Sequence, residues 1–593
     1  MSGLPVVMCV AEKPSLAASI AGFLSDGKHR SRRGGQEVHE FERDFNGARC
    51  HFKVTAVIGH VLSIDFPSKF QSWELDPAIL FDAPVQKKEA TPKARVVEHL
   101  EREAKGASHL ILWLDCDREG ENICFEVIDA CAPVMRPNRG DKFVHRAKFS
   151  AVSKESIERA MRTLGAPNRD EALAVDARQE LDLKVGVAFT RFQTRFFQGR
   201  YSHLDASVIS YGPCQTPTLN FAVQRHLEIV SHAPEDFWSL RVDVRSAAMG
   251  RTLVTRWERE RVFDADVGEM FRSMVSGDKH ALVQSVEETE EFKRRPPGLN
   301  TVDLLKAASA GMGMGAHRAM QVAERLYIQG FISYPRTEST AYPPGFDLKG
   351  TLRAQRGHPA WGEWVEELLS GSVAKPRGGK DAGDHPPITP VRSATESAVG
   401  GGEAWRIFDF VARHFIASVS PDCAYVSQRA VLVAGGERFH VGGRTVTAPG
   451  WTTVMPHRAI EDDPLGEIRE GESLPIATVE LQQGATSPPP YLSEAELIGL
   501  MERNGIGTDA SIPTHIKQHR EKKLRQDPEP RGAEGDSHGS RGHAGSGVPP
   551  HRSRACAPGC EIARREAARH DRHRQGGPRV HRASHPRTVR RQV

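Results

Sequence analysis

The sequence predicts a multidomain protein of mixed α/β and α+β class whose N-terminal part is built on a parallel sheet. The chain has 593 residues, which exceeds what one hydrophobic core accommodates and indicates about three to five domains. Two short apolar runs, Val6–Ala11 and His109–Leu114, are typical of buried parallel strands, and a helical pattern follows each run. We therefore expect an open α/β sheet near the N-terminus.

Charged side chains come directly after both predicted strands. Glu12 and Lys13 follow the first run, and Asp115, Asp117 and Glu119 follow the second. Taken alone, the first pair is more often a solvated turn, and the acidic cluster is equally compatible with a charged loop. Because the carboxyl ends of parallel strands meet at one edge of a sheet, where ligands bind, the two groups together favour a metal site.

A tyrosine stands two positions before an arginine, at Tyr334 and Arg336. A tyrosine can attack phosphorus when the developing charge is stabilised, and an arginine can supply that charge bidentately. The sequence Tyr-Pro-Arg alone usually marks a turn with a solvated arginine. Combined with an acidic cluster, it indicates phosphoryl transfer through a covalent intermediate. Tyr327, which precedes Tyr334 in the same segment, is expected to be a packing residue.

The net charge of +4 is unevenly distributed. Residues 517–593 contain 19 Lys and Arg against 8 Asp and Glu, a net charge of +11, which leaves −7 on residues 1–516. Bulk charge therefore does not favour nucleic-acid binding by the main body, and that function must depend on local sites. The basic segment has few large apolar residues, so we predict that it is disordered.

Cysteine content argues against a disulfide-stabilised protein, and hydropathy argues against a membrane protein. The nine cysteines are sparse and odd in number, which indicates reduced thiols rather than a disulfide framework. Cys556 and Cys560 lack a second pair at zinc spacing, so we expect no zinc site there. We also expect no membrane segment, because no apolar stretch approaches the ~20 residues that span a bilayer.

Further short motifs extend the pattern along most of the chain. With the acidic cluster and the tyrosine segment, they resemble the motifs of type IA DNA topoisomerases, in family order, and the N-terminal part resembles a toprim domain. The motifs cover residues 58–60, 177–183, 188–191, 210–219, 384–390 and 504–513. Pro213 and Cys214 stand where many relatives carry Arg-Val, and this departure resembles the eukaryotic topoisomerase III beta branch.

The resemblance implies a toroidal core in which a toprim domain, helical domains and a β-rich arch form a ring that opens as a gate. It implies six segments, with boundaries uncertain by several residues. These are the toprim domain at 1–155, a first helical pass at 156–230, the arch at 231–295 and 431–490, the tyrosine domain at 296–430, an incomplete second helical pass at 491–516, and the basic tail at 517–593.

The resemblance also implies roles in ATP-independent strand cleavage and rejoining. Tyr334 would attack a backbone phosphate of single-stranded DNA, leaving a 5′-phosphotyrosyl link and a 3′-hydroxyl. Asp115, Asp117 and Glu119 would hold Mg²⁺. Glu12 would carry a proton to and from the 3′-oxygen.

Other side chains would bind the strand or stabilise charge. Lys13 and Arg336 would stabilise the transition state, and His385 would contact the region of the scissile phosphate. Three residues would hold the strand upstream of the break: Arg178, Asp182 and Gln215. The reaction changes DNA topology and serves DNA recombination in the family.

The sequence departs from the family after Ile516, where family members continue through more of the helical domain. We interpret the basic tail as an altered reading frame or splice product, with a genuine divergent tail as the alternative. A helical domain that lacks part of its packing would expose apolar surface and lose stability.

Other functions stay open at this point. A toprim nuclease or primase would share the acidic cluster but not the tyrosine motif. A catalytically impaired nucleic-acid-binding protein would bind in a salt-dependent way without cleavage. The resemblance further implies RNA as a second substrate, a protein scaffold partner, and a location in the nucleus, with the cytoplasm as a second location.

Overall fold

The computed structural model describes seven stretches of the chain, with backbone alone for residues 519–524. The stretches are residues 4–33, 35–137, 142–201, 207–246, 250–371, 373–508 and 511–524. The predicted disordered tail begins at residue 517, but residues 517–524 belong to a helix at Ile512–Leu524, which therefore extends into the predicted tail. The rest of that tail, residues 525–593, which includes Cys556 and Cys560, lies outside the described residues.

The N-terminal part is an α/β domain on a six-stranded sheet, as predicted. Its elements are β1 (Val6–Ala11), α1 (Pro14–Leu24), β2 (Arg30–Arg33), β3 (Glu37–Phe45), β4 (Ala48–Ala56), β5 (Leu62–Asp65), β6 (Gln86–Glu89), α2 (Val96–Ala104), β7 (His109–Trp113), α3 (Arg118–Cys131), β8 (Val144–Arg146) and α4 (Lys154–Arg162). The strand order is β2-β3-β4-β1-β7-β8. Strands β4, β1, β7 and β8 run parallel. Strand β3 pairs antiparallel with β4 on one side and with β2 on the other.

Strand β1 lies at the centre because both of its faces are apolar. Val7 and Cys9 point into one buried cluster, whereas Met8 and Val10 point into another on the opposite face. Its neighbour β7 pairs with it in parallel register, with Ala11 opposite Trp113. The two chain segments that carry the predicted acidic residues therefore leave the sheet side by side.

A long helix, α5, and a second helix, α6, lead into a seven-stranded sheet. These elements are α5 (Arg169–Phe197), α6 (Gln215–Ser231), β9 (Asp236–Ser246), β10 (Arg251–Val254), β11 (Arg256–Trp257), α7 (Ala265–Ser276) and β12 (His280–Lys293). The chain returns to this sheet after the tyrosine segment with β13 (Cys423–Ala434), β14 (Glu437–Ala448) and β15 (Ser473–Ala485). The strand order is β10-β9-β15-β12-β13-β14-β11.

The tyrosine segment is helical and is followed by the returning strands. The elements are α8 (Thr301–Met312), α9 (Ala316–Ile328), α10 (Leu348–Arg353), α11 (Gly362–Ser370), α12 (Gly402–Ser418), β13 (Cys423–Ala434), β14 (Glu437–Ala448), β15 (Ser473–Ala485), α13 (Glu494–Arg503) and α14 (Ile512–Leu524). The predicted boundary at residue 431 falls inside β13, because that strand already pairs with β12 from Cys423 onward. The predicted boundary at 155 likewise falls inside α4.

One buried apolar cluster joins the N-terminal sheet to the tyrosine segment. It includes Cys9 and Trp113 from the sheet and Leu326, Ile332 and Tyr334 from the segment. The tyrosine therefore lies on a shared core and not on a free loop.

The sequence expectations on thiols and membranes can be compared with the described residues. All seven cysteines in that part of the chain are free thiols. No helix there combines the length and the hydrophobicity needed to cross a bilayer.

A buried carboxylate on α2 ties this helix to the sheet and gives the domain an acid-sensitive contact. Arg32 of β2 donates to Glu103 through both terminal nitrogens, and the Nζ of Lys53 in β4 lies 3.5 Å from its Oε2. Burial alone would raise the pKa of Glu103, but the hydrogen bonds and charge of Arg32, aided by Lys53, hold it at about 2. The folded state therefore prefers the charged form.

We predict that this contact stabilises the β2–β4 region above pH ~4.5 and is lost as the pH falls toward 2. In Glu103→Gln, the opening free energy of the β4 amides at pH 7 should fall by about 1.5–3 kcal/mol, and its decline with acid should flatten. Native-state hydrogen exchange measures both. Glu101→Gln, on an exposed position of the same helix, is the matched control. An unchanged acid profile in Glu103→Gln would contradict this account.

Candidate active site

The ends of β1 and β7 bring Glu12, Lys13 and Asp115 into contact. The backbone N–H of Asp115 donates to Glu12 Oε2 at 3.1 Å. The Nζ of Lys13 donates to Asp115 Oδ2 at 3.0 Å and lies 3.6 Å from Glu12 Oε1. Asp115 is 1% exposed, so these charges are held together by the fold.

The start of α3 fixes Asp117. Its Oδ1 accepts the backbone N–H of Gly120 at 2.7 Å and thus caps the helix. A Cβ at position 120 would lie 1.9 Å from the carbonyl oxygen of Asp115, so only glycine permits this close approach of helix and strand end. The capping bond leaves Oδ2 of Asp117 free to point toward the tyrosine segment.

A buried arginine that sequence reasoning missed supports the turn between β7 and α3. Arg146 of β8 is fully buried and donates to the carbonyl oxygens of Leu114 at 2.7 Å and Asp115 at 2.8 Å. Its Nε also donates to Glu121 Oε1 at 2.9 Å. The second oxygen of Glu121 accepts the N–H of Asn168, which caps α5. No sequence motif marked Arg146, because a lone arginine after a strand resembles any surface residue.

Tyr334 lies across from the acidic cluster. Its backbone N–H donates to the carbonyl of Ser150 at 2.9 Å, and its Oη donates to Asp117 Oδ2 at 2.5 Å. The residue is 2% exposed. The predicted nucleophile and one predicted metal ligand are thus in direct contact, although 217 positions separate them in the chain.

Tyr327 is buried beside Tyr334, and their rings meet edge to face with centroids 5.1 Å apart. Its Oη lies 3.5 Å from Asp115 Oδ1, at the outer limit of a hydrogen bond. Tyr327 therefore packs against Tyr334, the predicted nucleophile, and its hydroxyl also approaches Asp115.

The residues after Tyr334 form a second wall of the site. Arg336 pairs with Glu324 of α9. Thr337 Oγ1 donates to the carbonyl oxygen of His385 at 2.6 Å and lies 3.1 Å from Asp384 Oδ1. These bonds hold His385 with its ring 4.4 Å from that of Tyr334.

His385 offers one unused nitrogen to the site. Its Nδ1 lies 3.2 Å from Ser150 Oγ. Its Nε2 is buried and has no hydrogen-bond partner among the described residues. Burial lowers the pKa of His385, so the ring is neutral at pH 7.

Burial and negative charge control the protonation of the site. Burial, followed by the charges of Asp117 and Asp115, raises the pKa of Tyr334 well above its ordinary value, whereas Arg336 acts in the opposite direction. Burial and the same two carboxylates raise the pKa of Glu12 to about 7. The tyrosine is therefore a neutral phenol that donates its proton toward a carboxylate.

Glu119 is paired with residues outside the acidic motif. Its oxygens accept from His60 Nε2 at 3.0 Å and pair with Arg178 at 2.7 Å. Burial would lower the pKa of His60, but Glu119 and Glu126 raise it to about 10. The structure therefore brings Asp115 and Asp117 to the tyrosine and assigns Glu119 to a separate ion-pair network.

The donor chemistry of the cluster fits Mg²⁺, because Glu12, Asp115 and Asp117 are carboxylates gathered with more negative charge than Lys13 offsets. Within the described ranges, no three His, Cys, Asp or Glu side chains converge on a common point. Asp115 is paired with Lys13, and Glu119 is paired with Arg178, so these carboxylates contact cations and do not converge on one another.

The predicted strand-binding residues lie on the helical part. Arg178 and Asp182 are exposed on α5. Gln215 begins α6 and donates to the side chain of Gln518 in α14. Among the described residues, none of these three lines the cleft beside the acidic cluster and the tyrosine segment, although Arg178 pairs with Glu119, which does.

A cleft of about 880 Å³ runs along this site. Its lining includes Asp117, Glu119, Arg336, His385 and Thr508. The cleft therefore connects the acidic cluster and the tyrosine segment to the loop before α14.

Comparisons with known proteins agree with this geometry. A toprim domain model matches residues 7–151, and a DNA topoisomerase model matches residues 166–529. DNA topoisomerase 3-beta of Arabidopsis thaliana is 55% identical over 87% of this chain and 59% of its own length. DNA topoisomerase 3-beta-1 of Homo sapiens is 51% identical over 86% of this chain and 60% of its own length. The chain thus spans about three fifths of these relatives.

A solved structure shares the fold at low sequence identity. The full-length topoisomerase I from Thermotoga maritima superposes with a TM-score of 0.66 at 22% identity, covering 86% of this chain and 78% of that one. The family models together account for most of the described chain, and the tyrosine, toprim and loop motifs occupy the two matched regions. This chain belongs to the type IA DNA topoisomerase family.

Proposed function

We propose that this chain cleaves single-stranded DNA through Tyr334, passes another strand through the break and rejoins the ends without ATP, relaxing negative supercoils or resolving linked DNA. The observation that carries the proposal is the 2.5 Å hydrogen bond from Tyr334 Oη to Asp117 Oδ2. It places the only atom of the phenol that can attack phosphorus at the acidic edge of the toprim sheet.

The chemical step forms one bond and breaks one bond. Tyr334 Oη attacks phosphorus as the phosphorus–O3′ bond breaks, which leaves a 5′-phosphotyrosyl link and a free 3′-hydroxyl. The phenolic proton passes to the carboxylate of Asp117, which already accepts it as a hydrogen bond. Glu12, held against the backbone of Asp115, supplies the proton that the 3′-oxygen gains. The reverse sequence reseals the strand.

Two cations, Lys13 and Arg336, compensate the charge of the phosphate, and the neutral ring of His385 offers it a hydrogen bond. Lys13 lies on Asp115, and Arg336 lies two residues beyond the nucleophile with Glu324 as its partner. The unpartnered Nε2 of His385 is available to a phosphate oxygen. In a site that excludes water, such prepositioned groups stabilise the transition state more strongly than they would in solvent.

We propose Mg²⁺ as the cofactor, held by Asp115 and Asp117. The ion supplies charge stabilisation and orients the phosphate when bound. Glu119 becomes a third ligand only if it leaves His60 and Arg178.

The remaining proposals concern substrates and surroundings. Arg178, Asp182 and Gln215 would hold the strand upstream of the break, and the ion pair between Arg178 and Glu119 connects that path to the cleft. RNA as a second substrate, a scaffold protein as partner, a role in recombination and a location in the nucleus, and also the cytoplasm, follow from resemblance to the relatives.

We predict that Tyr334→Phe abolishes cleavage while single-stranded DNA binding persists, because the ring still packs and the attacking oxygen is gone. Denaturant-stopped reactions, resolved as protein-linked labelled oligonucleotide, measure the covalent adduct. Tyr327→Phe is the matched control, since it removes the hydroxyl of an equally buried neighbour and should keep the adduct. An adduct that survives in Tyr334→Phe would show that another residue is the nucleophile.

A second prediction separates the two carboxylates. Asp115→Asn keeps the carboxylate that takes the proton of Tyr334, whereas Asp117→Asn replaces it with an amide that can accept the hydrogen bond but not the proton. Both should raise the Mg²⁺ concentration needed for religation by at least about tenfold, given that loss of even an indirect metal partner costs about 10–100-fold. Only Asp117→Asn should also slow the first cleavage. Asp129→Asn, at an exposed position of α3, is the control. Wild-type Mg²⁺ dependence in both Asp115→Asn and Asp117→Asn would show that the acidic cluster is only a charged loop.

A further inference from the structure

Glu119, the third carboxylate of the acidic motif, is held by two cations from different parts of the chain. Arg178 Nη2 lies 2.7 Å from its Oε1, and His60 Nε2 lies 3.0 Å from its Oε2. Each oxygen of the carboxylate therefore has its own cation. Asp117, two residues earlier, instead faces Tyr334. The motif is thus divided between the proposed metal site and this separate pair of contacts.

The two cations differ in how firmly they are fixed. His60 is anchored on its other side by Glu126, whose Oε1 lies 3.1 Å from His60 Nδ1 and whose Oε2 accepts the backbone N–H of Val61 at 2.7 Å. The side chain of Arg178 is 43% exposed, and among the described residues its ion-pair partner is Glu119 alone. Arg178 is therefore the cation that is free to leave.

The helix that carries Arg178 is pinned, so a change of partner involves the side chain alone. Asn122 of α3 donates through Nδ2 to the carbonyl oxygen of Ala172 at 2.9 Å and to Asp176 Oδ1 at 3.0 Å. Asn122 is 2% exposed, so these bonds are shielded from water. They tie α5 to α3 within two residues of Arg178, which keeps the guanidinium within reach of Glu119.

A phosphate beside Arg178 competes with Glu119 for one guanidinium. An arginine that pairs with a carboxylate binds a phosphate through the same planar fork. When Arg178 turns to a phosphate, Glu119 keeps only the singly charged His60 and stands near the carboxylates of the acidic cluster. Removing one cation from a carboxylate in such surroundings is costly. A divalent ion restores the balance, because carboxylate oxygens are the ligands that Mg²⁺ prefers.

We propose that Arg178 is a positioning residue that couples strand binding to metal binding. In the free protein it holds Glu119 away from the metal site. In the complex it transfers to a phosphate of the bound strand, and Glu119 exchanges His60 for the divalent ion. The inference rests on the proposed function for the strand-binding role of Arg178 and for the ion itself. The coupling is reciprocal, so the ion raises the affinity for the strand by the same factor.

The test measures metal affinity in the full chain carrying Tyr334→Phe, which prevents cleavage in every arm. Bound Mn²⁺, which shares the oxygen ligands of Mg²⁺, is counted from the loss of the free-ion EPR signal. Arg178→Gln should raise the Mn²⁺ affinity of the free protein at least about fivefold, the lower end of typical coupling between sites. With Arg178 present, single-stranded DNA of about 8 nucleotides, short enough for one site, should produce a similar rise.

A double-mutant cycle separates this exchange from the general effect of removing a positive charge. In Glu119→Gln, the effect of Arg178→Gln on Mn²⁺ affinity should be lost, because the carboxylate that Arg178 holds is gone. Arg178→Lys keeps a cation beside Glu119 and should restore the low affinity and the response to DNA. Lys105→Gln removes an exposed charge before β7, at the opposite end of that strand from Asp115, and should leave Mn²⁺ affinity unchanged.

Two results would overturn the inference. One is an Mn²⁺ affinity that does not change on Arg178→Gln, and the other is an effect of Arg178→Gln that persists undiminished in Glu119→Gln. Because these arms use a chain that cannot cleave, they are independent of the covalent step. The proposed function fails separately, if the chain that retains Tyr334 forms no covalent adduct with DNA.

Discussion

The hydrogen bond between Tyr334 and Asp117 is the contact on which the rest of the site depends. It joins the tyrosine segment to the toprim sheet at 2.5 Å. It requires that Asp117 and Tyr334 each be positioned by their own surroundings. On one side, the capping bond to Gly120 orients Asp117, and Arg146 holds the preceding turn by its carbonyls. On the other, the backbone of Tyr334 is fixed to Ser150.

The same contact explains why the proposed nucleophile, Tyr334, would need nearby cations. Burial and two carboxylates keep the phenol protonated, so an attacking oxygen develops in surroundings that oppose negative charge. In the proposed reaction, Lys13, Arg336 and a bound divalent cation would stabilise that negative charge. Because Tyr334 is 2% exposed, a phosphate reaches it only when the walls of the cleft separate locally. The closed arrangement that buries Tyr334 and an open arrangement that admits a phosphate are thus alternative states of one interface.

Much of this arrangement follows from the sequence, and the missing parts have physical causes. Apolar runs followed by charges placed Glu12, Lys13 and Asp115 at one sheet edge because parallel strands end together. The direction of Glu119 was not predictable, since His60 and Arg178 reach it through tertiary packing alone. Arg146 was missed because most of its partners are backbone carbonyls, which leave no motif, and its pairing with Glu121 arises only in the fold. The start of the returning strand at Cys423 depends on pairing with β12, which local sequence does not encode.

The most direct measurement is to map the covalent adduct to one tyrosine. After trapping and nuclease digestion, trypsin should release the peptide 326–336, which begins after Arg325 and ends at Arg336 and contains both Tyr327 and Tyr334. Fragment-ion mass spectrometry then distinguishes the two tyrosines. The account predicts a nucleotide joined through its 5′-phosphate to Tyr334 alone. A nucleotide on Tyr327, or a link through a 3′-phosphate, would contradict it.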